Sequence, residues 1–148
     1  MQKEKKQHDS MLLDEELYQL IGSVTEVPYS ALLLEQPEFI FITGSIERLI
    51  GYSAAEIYAD RQLWLNIIHP DDKERFLAAF ARCKNEGAGF EIEYRIIHKD
   101  GSLRYVRDKG EPVFNDKGRI TQVEGLIADI SECKKTVERC IEGRVYDI

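Results

Sequence analysis

The spacing of hydrophobic residues changes along the chain and predicts where helices and strands lie. A stripe near the N-terminus recurs every three or four residues, which is typical of an amphipathic helix. It consists of Leu13, Leu17, Leu20 and Val24. After Pro28, two apolar runs at residues 29–35 and 39–43 predict strands, and Pro37 lies in the turn between them. The chain therefore begins with a helix and continues into a strand pair.

Helix start and stop signals follow in the middle of the chain. Ser45, Ser53 and Asp60 are suitable caps for three short helices, and Gly51 is a suitable end for the first. A predicted capping box at residues 71–74 begins a longer helix that runs to Glu86. Its apolar face consists of Phe76, Ala79, Phe80 and Cys83.

Alternating residues then predict strands. Phe90, Ile92, Tyr94 and Ile96 alternate with charged residues, as in a sheet with one wet face. The Asp100-Gly101 pair predicts a type I′ hairpin turn. Two more strands are predicted at residues 102–114 and 119–130. Together with the first strand pair, they predict an α+β fold with one antiparallel sheet and helices on one of its faces.

Composition narrows the function. The chain has 148 residues, which fits one domain, and its net charge of -7 argues against a nucleic-acid surface. Its three cysteines form no CxxC pair, so we expect reduced thiols in a cytoplasmic protein. No apolar run approaches the roughly 18 residues that span a bilayer. We therefore expect no direct membrane insertion, although a parent protein could be anchored elsewhere.

Candidate catalytic and metal-binding residues are sparse. His69-Pro70-Asp71-Asp72 resembles a metal-ligand set in residue type only, because a single His beside two helix-start carboxylates does not make a closed site. No nucleophile elbow or phosphate loop accompanies His69, His98 or Asp129. We expect no catalytic residues, no metal and no enzyme.

Four short motifs identify a family when they are taken in order. They are Gly51-Tyr52, His69-Pro70-Asp71-Asp72, Lys99-Asp100-Gly101-Ser102 and Asp129-Ile130-Ser131. Residues 29–131 resemble the PAS sensory domain of bacterial and archaeal signalling proteins. The resemblance implies a five-stranded sheet of order 2-1-5-4-3 and an ion pair between Glu56 and Lys99. It also divides the chain into a flanking helix (1–27), a PAS domain (28–131) and a C-terminal linker helix (132–148).

The resemblance also implies a ligand pocket between the long helix and the sheet. Its candidate lining is Phe76, Phe80, Cys83, Ile92, Tyr94, Ile96, Tyr105, Val123, Gly125 and Ile127. Tyr105 stands where this subfamily usually has Trp. A packed core would contain the same residue types, so both interpretations remain open. We expect no cofactor, because residues 72–86 contain no haem-binding His and residues 69–74 lack the Cys of flavin-binding LOV members.

The C-terminal segment has two interpretations. Its apolar stripe is Ile130, Cys133, Val137, Cys140 and Ile141. That spacing fits a short coiled-coil seam, and it also fits an amphipathic helix lying on its own domain. In the PAS resemblance, Asp129, Ile130 and Ser131 form the signal-relay junction between the sheet and an output helix.

These observations lead to one functional prediction and one alternative. We predict a sensory and relay module of a larger signalling protein, either a histidine kinase or a cyclic-dinucleotide enzyme. It would bind a small molecule or a partner, form a homodimer and transmit through the C-terminal helix to the output domain of its parent. The alternative is a ligand-free dimerisation or protein-interaction module.

Overall fold

The computed structural model describes residues 26–135, so the predicted N-terminal helix and the stripe positions Val137, Cys140 and Ile141 lie outside the described residues. Five antiparallel strands form one sheet of order β2-β1-β5-β4-β3, which confirms the predicted fold. They are β1 (Glu26–Leu33), β2 (Pro37–Ile42), β3 (Phe90–Ile97), β4 (Leu103–Phe114) and β5 (Ile120–Asp129). The first strand begins before Pro28, the expected domain boundary.

Four helices and a 3-10 turn connect β2 to β3. They are α1 (Ile46–Ile50), α2 (Ala54–Ala59), α3 (Leu63–Ile67), the turn Pro70–Asp72 and α4 (Lys73–Glu86). Ser53 caps α2 by accepting a hydrogen bond from the Glu56 amide at 3.1 Å. Gly51 ends α1 with φ 82°, and Gly87 ends α4 with φ 71°, a left-handed backbone that suits glycine.

The predicted capping box at the start of α4 does not form. The predicted cap was Asp71, but α4 begins one residue later, with Asp72 as its N-cap residue, and the Asp72 side chain makes no cap hydrogen bond. Its carboxylate instead accepts from the backbone amide of Arg95 at 2.8 Å and from the Arg95 guanidinium at 2.8 and 2.9 Å. Because β3 is an edge strand, Arg95 presents a free amide beside a charged donor group, and this combination binds the carboxylate better than a helix terminus does.

The hairpin turn between β3 and β4 differs from the predicted type I′ geometry. Within residues 26–135, only glycines have positive φ, and Asp100 therefore does not take the conformation that type I′ requires. The Gly101 amide donates to the His98 carbonyl at 2.8 Å, and the His98 amide donates to the Ser102 carbonyl at 2.8 Å. This pattern is a three-residue loop with glycine in the left-handed region. Gly118 closes the loop after β4 in the same way.

The core lies between the helices and one face of the sheet, called here the inner face. Large side chains from all layers meet there, including Ile50 from α1, Trp64 from α3, Phe80 from α4 and Ile127 from β5. A second, smaller cluster forms on the opposite, outer face. It contains Ile130 and Cys133, packed against Tyr105 and Ala128.

Candidate functional site

The inner face brings together nearly all the residues predicted to line a pocket. Phe76, Phe80 and Cys83 of α4 lie in one cluster with side chains of β3 and β5. The strand residues of this cluster are Tyr94, Ile96, Val123 and Ile127, with the half-buried Ile92 packed against them. The rings of Phe76 and Tyr94 meet edge to face, with centroids 5.2 Å apart. The residues predicted to lie between α4 and the sheet are therefore in contact with one another there.

The side chains of this layer pack against one another and are largely closed off from solvent. A Cβ atom added to Gly125 would lie 2.4 Å from the Tyr29 ring, so the absence of a side chain there is what admits the tyrosine. A small cavity of about 30 Å³ lies elsewhere, between β2 and helices α2 and α3, beside Phe39 and Trp64. That volume holds one or two water molecules, whereas sites for organic ligands span hundreds of Å³.

Tyr105 does not join the predicted lining. Side chains alternate between the two faces of a strand, and the buried Val106 and Asp108 of β4 take the inner face. Tyr105 therefore lies on the outer face, where it packs against Ile130 and Cys133. This position corrects its placement in the pocket.

The most unusual interior group is one that the sequence analysis missed. Asp108 is 2% exposed, yet it lies in the middle of the apolar inner face. Tyr29 of β1 donates to one carboxylate oxygen at 2.7 Å, and Tyr94 of β3 donates to the other at 2.6 Å. In residues 26–135 no Lys or Arg pairs with this carboxylate. Asp108, Tyr29 and Tyr94 are called the Asp–Tyr cluster below.

Burial changes the acidity of the cluster. Desolvation raises the pKa of Asp108 from 3.8 to about 6, although the hydrogen bonds from Tyr94 and Tyr29 act in the opposite direction. Desolvation, followed by the nearby Asp108 carboxylate, raises the pKa of both tyrosines well above 10.0. Near neutral pH, Asp108 is consequently the member of the cluster that exchanges a proton.

A signal for Asp108 was present in the sequence. Val106 and Gly110 are small or apolar residues at alternate positions of β4, and Asp108 lies between them with the same parity. Counting by two along that strand would have placed a carboxylate on the inner face. Its partner Tyr94 lies on β3, the other strand of the same hairpin. Tyr29 lies on β1, 79 residues away in sequence, so only the folded sheet brings it to Asp108.

The predicted relay junction is anchored to the sheet at one residue. The Ser131 hydroxyl accepts from the Tyr105 amide at 2.9 Å, and the Ile130 amide donates to the Tyr105 carbonyl at 2.8 Å. Asp129 accepts from the Ser131 amide at 3.0 Å and pairs with Arg104 at 3.7 Å. Both backbone groups of Tyr105 thus hold the point at which β5 ends and residues 131–135 become helical.

Outer-face contacts hold the first helical turn after the junction. Ile130 is fully buried and Cys133 is 1% exposed, so the described part of the C-terminal stripe packs on its own domain. Lys134 forms an ion pair with Glu93 of β3 at 2.6 Å. For these residues the interpretation as a helix on its own domain applies.

A second contact closes the hairpin between β3 and β4 against the helices. Lys99 lies 3.5 Å from the Glu56 carboxylate and 5.2 Å from the centre of the Tyr52 ring. A Cβ atom on Gly51 would lie 2.6 Å from the His98 ring, so glycine permits this close approach. The predicted Glu56–Lys99 pair is present, and its exposure indicates a contribution of about 0–1 kcal/mol.

The described residues also bear on metal binding and membrane insertion. Within residues 26–135, no three His, Cys, Asp or Glu side chains converge in a way that could hold a metal ion. No helix in that part of the chain is long and apolar enough to cross a bilayer.

Comparison with known families and structures agrees with this geometry. The family model described as PAS fold matches residues 39–127. The chain belongs to the PAS fold family. PAS domains of this family are sensory modules rather than catalysts.

PAS domains of similar sequence occur in sensor proteins. The chain is 34% identical over 109 residues to the methyl sulfide methyltransferase-associated sensor of Methanosarcina acetivorans. It is 28% identical over 86 residues to sensor protein FixL of Bradyrhizobium diazoefficiens. These matches cover 72% and 58% of the chain, but only 11% and 17% of the relatives. The PAS domain therefore corresponds to one part of much longer signalling proteins.

Solved PAS structures share the fold. The N-terminal domain of a diguanylate cyclase with PAS/PAC sensor from Marinobacter aquaeolei is 26% identical, with a TM-score of 0.65, and the match covers 72% of this chain and 96% of that one. A domain of a light and redox sensing histidine kinase from Haloarcula marismortui also has a TM-score of 0.65, at 24% identity. That match covers 79% of this chain and 99% of the other.

Proposed function

We propose that this PAS domain relays a change inside its sheet to the helix that begins at Ser131. The observation that carries the proposal is the double attachment of the junction to Tyr105, whose amide and carbonyl bind Ser131 and Ile130 respectively. Tyr105 belongs to β4, the strand that also carries the buried Asp108. A shift of β4 would therefore move Asp108 and the attachment point Tyr105 together.

The direct neighbours of the junction support the same role. Asp129 pairs with Val106 in the ladder between β5 and β4, and Ile127 pairs with Asp108. The junction thus continues from the strand that lies beside the Asp–Tyr cluster. A module that favours one of two sheet arrangements would read out the difference through the position of the helix.

The parent protein and partners belong to the same proposal. The relatives are named as sensors, and the solved neighbours as parts of a histidine kinase and a diguanylate cyclase. We accordingly assign the chain to a larger cytoplasmic signalling protein of one of these two kinds, with the kinase or cyclase as its output domain. The PAS domain itself would act without catalysing a reaction.

Thiol labelling of Cys133 tests the relay attachment. Cys133 is buried under the helix start, so its reaction rate with a maleimide reports how often that turn leaves the sheet. Ser131→Ala removes the hydroxyl that accepts from Tyr105 and should increase the rate about fivefold, the equivalent of one net hydrogen bond of about 1 kcal/mol. Peptide mass spectrometry identifies which cysteine has reacted.

Two matched variants complete this test. Ser131→Thr keeps the hydroxyl and should label as slowly as the wild type. Thr121→Ala changes an exposed position on β5 and should also leave the rate unchanged. Equal rates in Ser131→Ala and wild type would show that the junction is not held by β4, and the relay proposal would fail.

Two observations favour the second candidate, a ligand-free interaction module. The residues of the predicted lining pack against one another, and β2 presents Ile40 and Phe41, each 50% exposed. Such a module would act as a homodimer, with the N-terminal stripe as the expected seam. A small-molecule ligand of undetermined identity remains part of the first proposal.

Native mass spectrometry of the full chain separates the two candidates. A bound small molecule, absent from the denatured mass, supports the ligand-binding sensor. A ligand-free dimer that becomes monomeric in Leu17→Glu supports the interaction module. A ligand-free monomer would contradict the dimer in both versions.

A further inference from the structure

The Asp–Tyr cluster connects three strands through one titratable group. Asp108 lies on β4, and its two oxygens are bound by Tyr29 from β1 and Tyr94 from β3. Strand β5 separates β1 from β4 in the sheet, so the Tyr29 side chain reaches across β5 over Gly125. The carboxylate is therefore a link between strands that are not neighbours.

The surroundings isolate this group from other charges. Outside the cluster, Cys83 of α4 lies close enough to Tyr29 to raise the pKa of that tyrosine. Desolvation raises the pKa of Cys83 as well, so the thiol stays neutral when Asp108 titrates. The inner-face residues that β5 places here, Gly125 and Ile127, do not titrate.

We infer that Asp108 is a proton-binding site inside the domain, and that its protonation rearranges the two tyrosine hydrogen bonds that join β4 to β1 and β3. The role of the proton as a signal rests on the proposed sensory function, because the proton would then be the ligand that the sensor detects. The binding itself is a property of the cluster.

The chemistry of the cluster requires a rearrangement. The ionised carboxylate has only acceptor atoms, and each oxygen accepts one tyrosine hydroxyl. When a proton from solvent forms an O–H bond on one oxygen, that oxygen becomes a donor. The tyrosine facing it then rotates its hydroxyl to accept, or keeps a weaker hydrogen bond to an oxygen whose new O–H group has no acceptor. No electron transfer and no second reactant are involved.

Burial of Asp108 sets the pH interval over which it gains and loses its proton. Burial raises the pKa of Asp108 to about 6, whereas an exposed aspartate titrates near 3.8. The group therefore changes charge between weakly acidic and neutral pH. An exposed carboxylate would remain ionised throughout that interval.

Two spectroscopic titrations of the full chain test the inference. The ¹³C shift of the Asp108 carboxyl, assigned by its loss in Asp108→Asn, should titrate with a midpoint near pH 6. The fluorescence of Trp64, the single tryptophan, should follow it. Trp64 contacts Phe39 at 5.4 Å between ring centres, and Phe39 contacts Tyr29 at 5.5 Å.

Variants of the partners supply a directional check. Tyr94→Phe removes a hydrogen bond that stabilises the charged carboxylate, so the midpoint should move upward by about one pH unit. Tyr29→Phe should act in the same direction. Because both variants keep the aromatic ring, they test the site even if Asp108→Asn does not fold.

Substitutions of the two described histidines serve as controls. His69→Gln and His98→Gln should retain the transition of Trp64 fluorescence. A flat Asp108 carboxyl signal between pH 4.5 and 8, or a Trp64 transition that persists in Asp108→Asn, would overturn the proton site. The relay fails separately, if Asp108 titrates while the amides of Ile130 and Ser131 do not respond.

Discussion

A carboxylate buried between two tyrosines makes the stability of the domain depend on pH. Above pH 6, Asp108 is charged in both the folded and the unfolded chain, and burial costs the folded state about 3 kcal/mol, at 1.36 kcal/mol for each pKa unit between 3.8 and about 6. As the pH falls through 6 towards 3.8, the folded chain binds a proton that the unfolded chain does not. The contribution of Asp108 to the free energy of unfolding therefore rises as the pH falls across this window.

Asp108→Asn should remove that dependence. The neutral amide occupies nearly the same volume and never carries the charge. The free energy of unfolding of the variant minus that of the wild type should decrease by about 2.4 kcal/mol between pH 7.5 and pH 4. Urea unfolding at several pH values measures it.

An exposed aspartate provides the control for this comparison. Asp116 lies in the turn after β4, and Asp116→Asn should differ from the wild type by less than about 0.5 kcal/mol at each pH. A stability difference between Asp108→Asn and the wild type that stays constant with pH would refute the buried charge.

The segment His69–Asp72 covers the free edge of β3 at Arg95. The His69 amide donates to the Arg95 carbonyl at 2.9 Å, and Asp72 accepts from the Arg95 amide at 2.8 Å. Both backbone groups of Arg95 that would otherwise face solvent are thus occupied. Exposed edges pair readily with other chains, so this contact also protects the domain from aggregation.

Asp72→Ala should expose this edge and weaken the fold. The hydrogen bond and charge of Arg95 hold the pKa of Asp72 at about 2, below its usual 3.8. Loss of the carboxylate should lower the free energy of unfolding at pH 7 by about 2–3 kcal/mol. Because Asp72 is protonated once the pH passes below about 2, the stabilisation is present above pH 3.8 and is lost between 3.8 and 2.

The neighbouring carboxylate offers a matched comparison. Asp71 is exposed, and Asp71→Ala should change stability by less than about 0.5 kcal/mol. Chemical unfolding at pH 7 and pH 2.5 gives both numbers. Equal losses for Asp71→Ala and Asp72→Ala would mean that the edge contact contributes nothing.

Local patterns predicted the elements, but not the contacts between them. The alternation of residues 90–96 and the turn at Asp100-Gly101 were sufficient to place the hairpin of β3 and β4. The type of turn was wrong because Gly101 alone takes positive φ, which the dipeptide does not reveal. The predicted capping box at residues 71–74 was wrong because the Asp72 carboxylate binds Arg95, 23 residues away, and a capping pattern considers only the next turn.

The packing of the interior depends on contacts between residues that are far apart in sequence, and local sequence patterns do not reveal these contacts. The apolar lining was predicted from helix and strand periods, which are local. The Tyr29 ring over Gly125 and the Tyr29–Asp108 hydrogen bond both require the register of β1 against β5, two strands that are far apart in sequence and meet only in the sheet. Tyr105 was misplaced for the related reason that its strand parity was not followed.

The domain combines a buried titratable group, Asp108, with a junction after β5 that is hydrogen-bonded to β4. Asp108 and Tyr105 lie three positions apart on β4, one facing the core and the other facing the outer cluster. Strand β4 is paired on both sides, with β3 and β5, so a displacement of β4 would act on both neighbours. We expect events at the inner face to reach residues 130–135 through this strand.

Amide NMR spectra of the wild type and Asp108→Asn at pH 7.5 test this central claim most directly. We predict that amide shifts change at Tyr105, Ile130, Ser131 and on to residue 135, and that they change little in α2, which packs on β2 rather than on β4. Lys84→Ala, an exposed change on α4, should leave the junction amides unchanged. Changes confined to the immediate contacts of Asp108, with the amides of residues 130–135 unmoved, would contradict the relay.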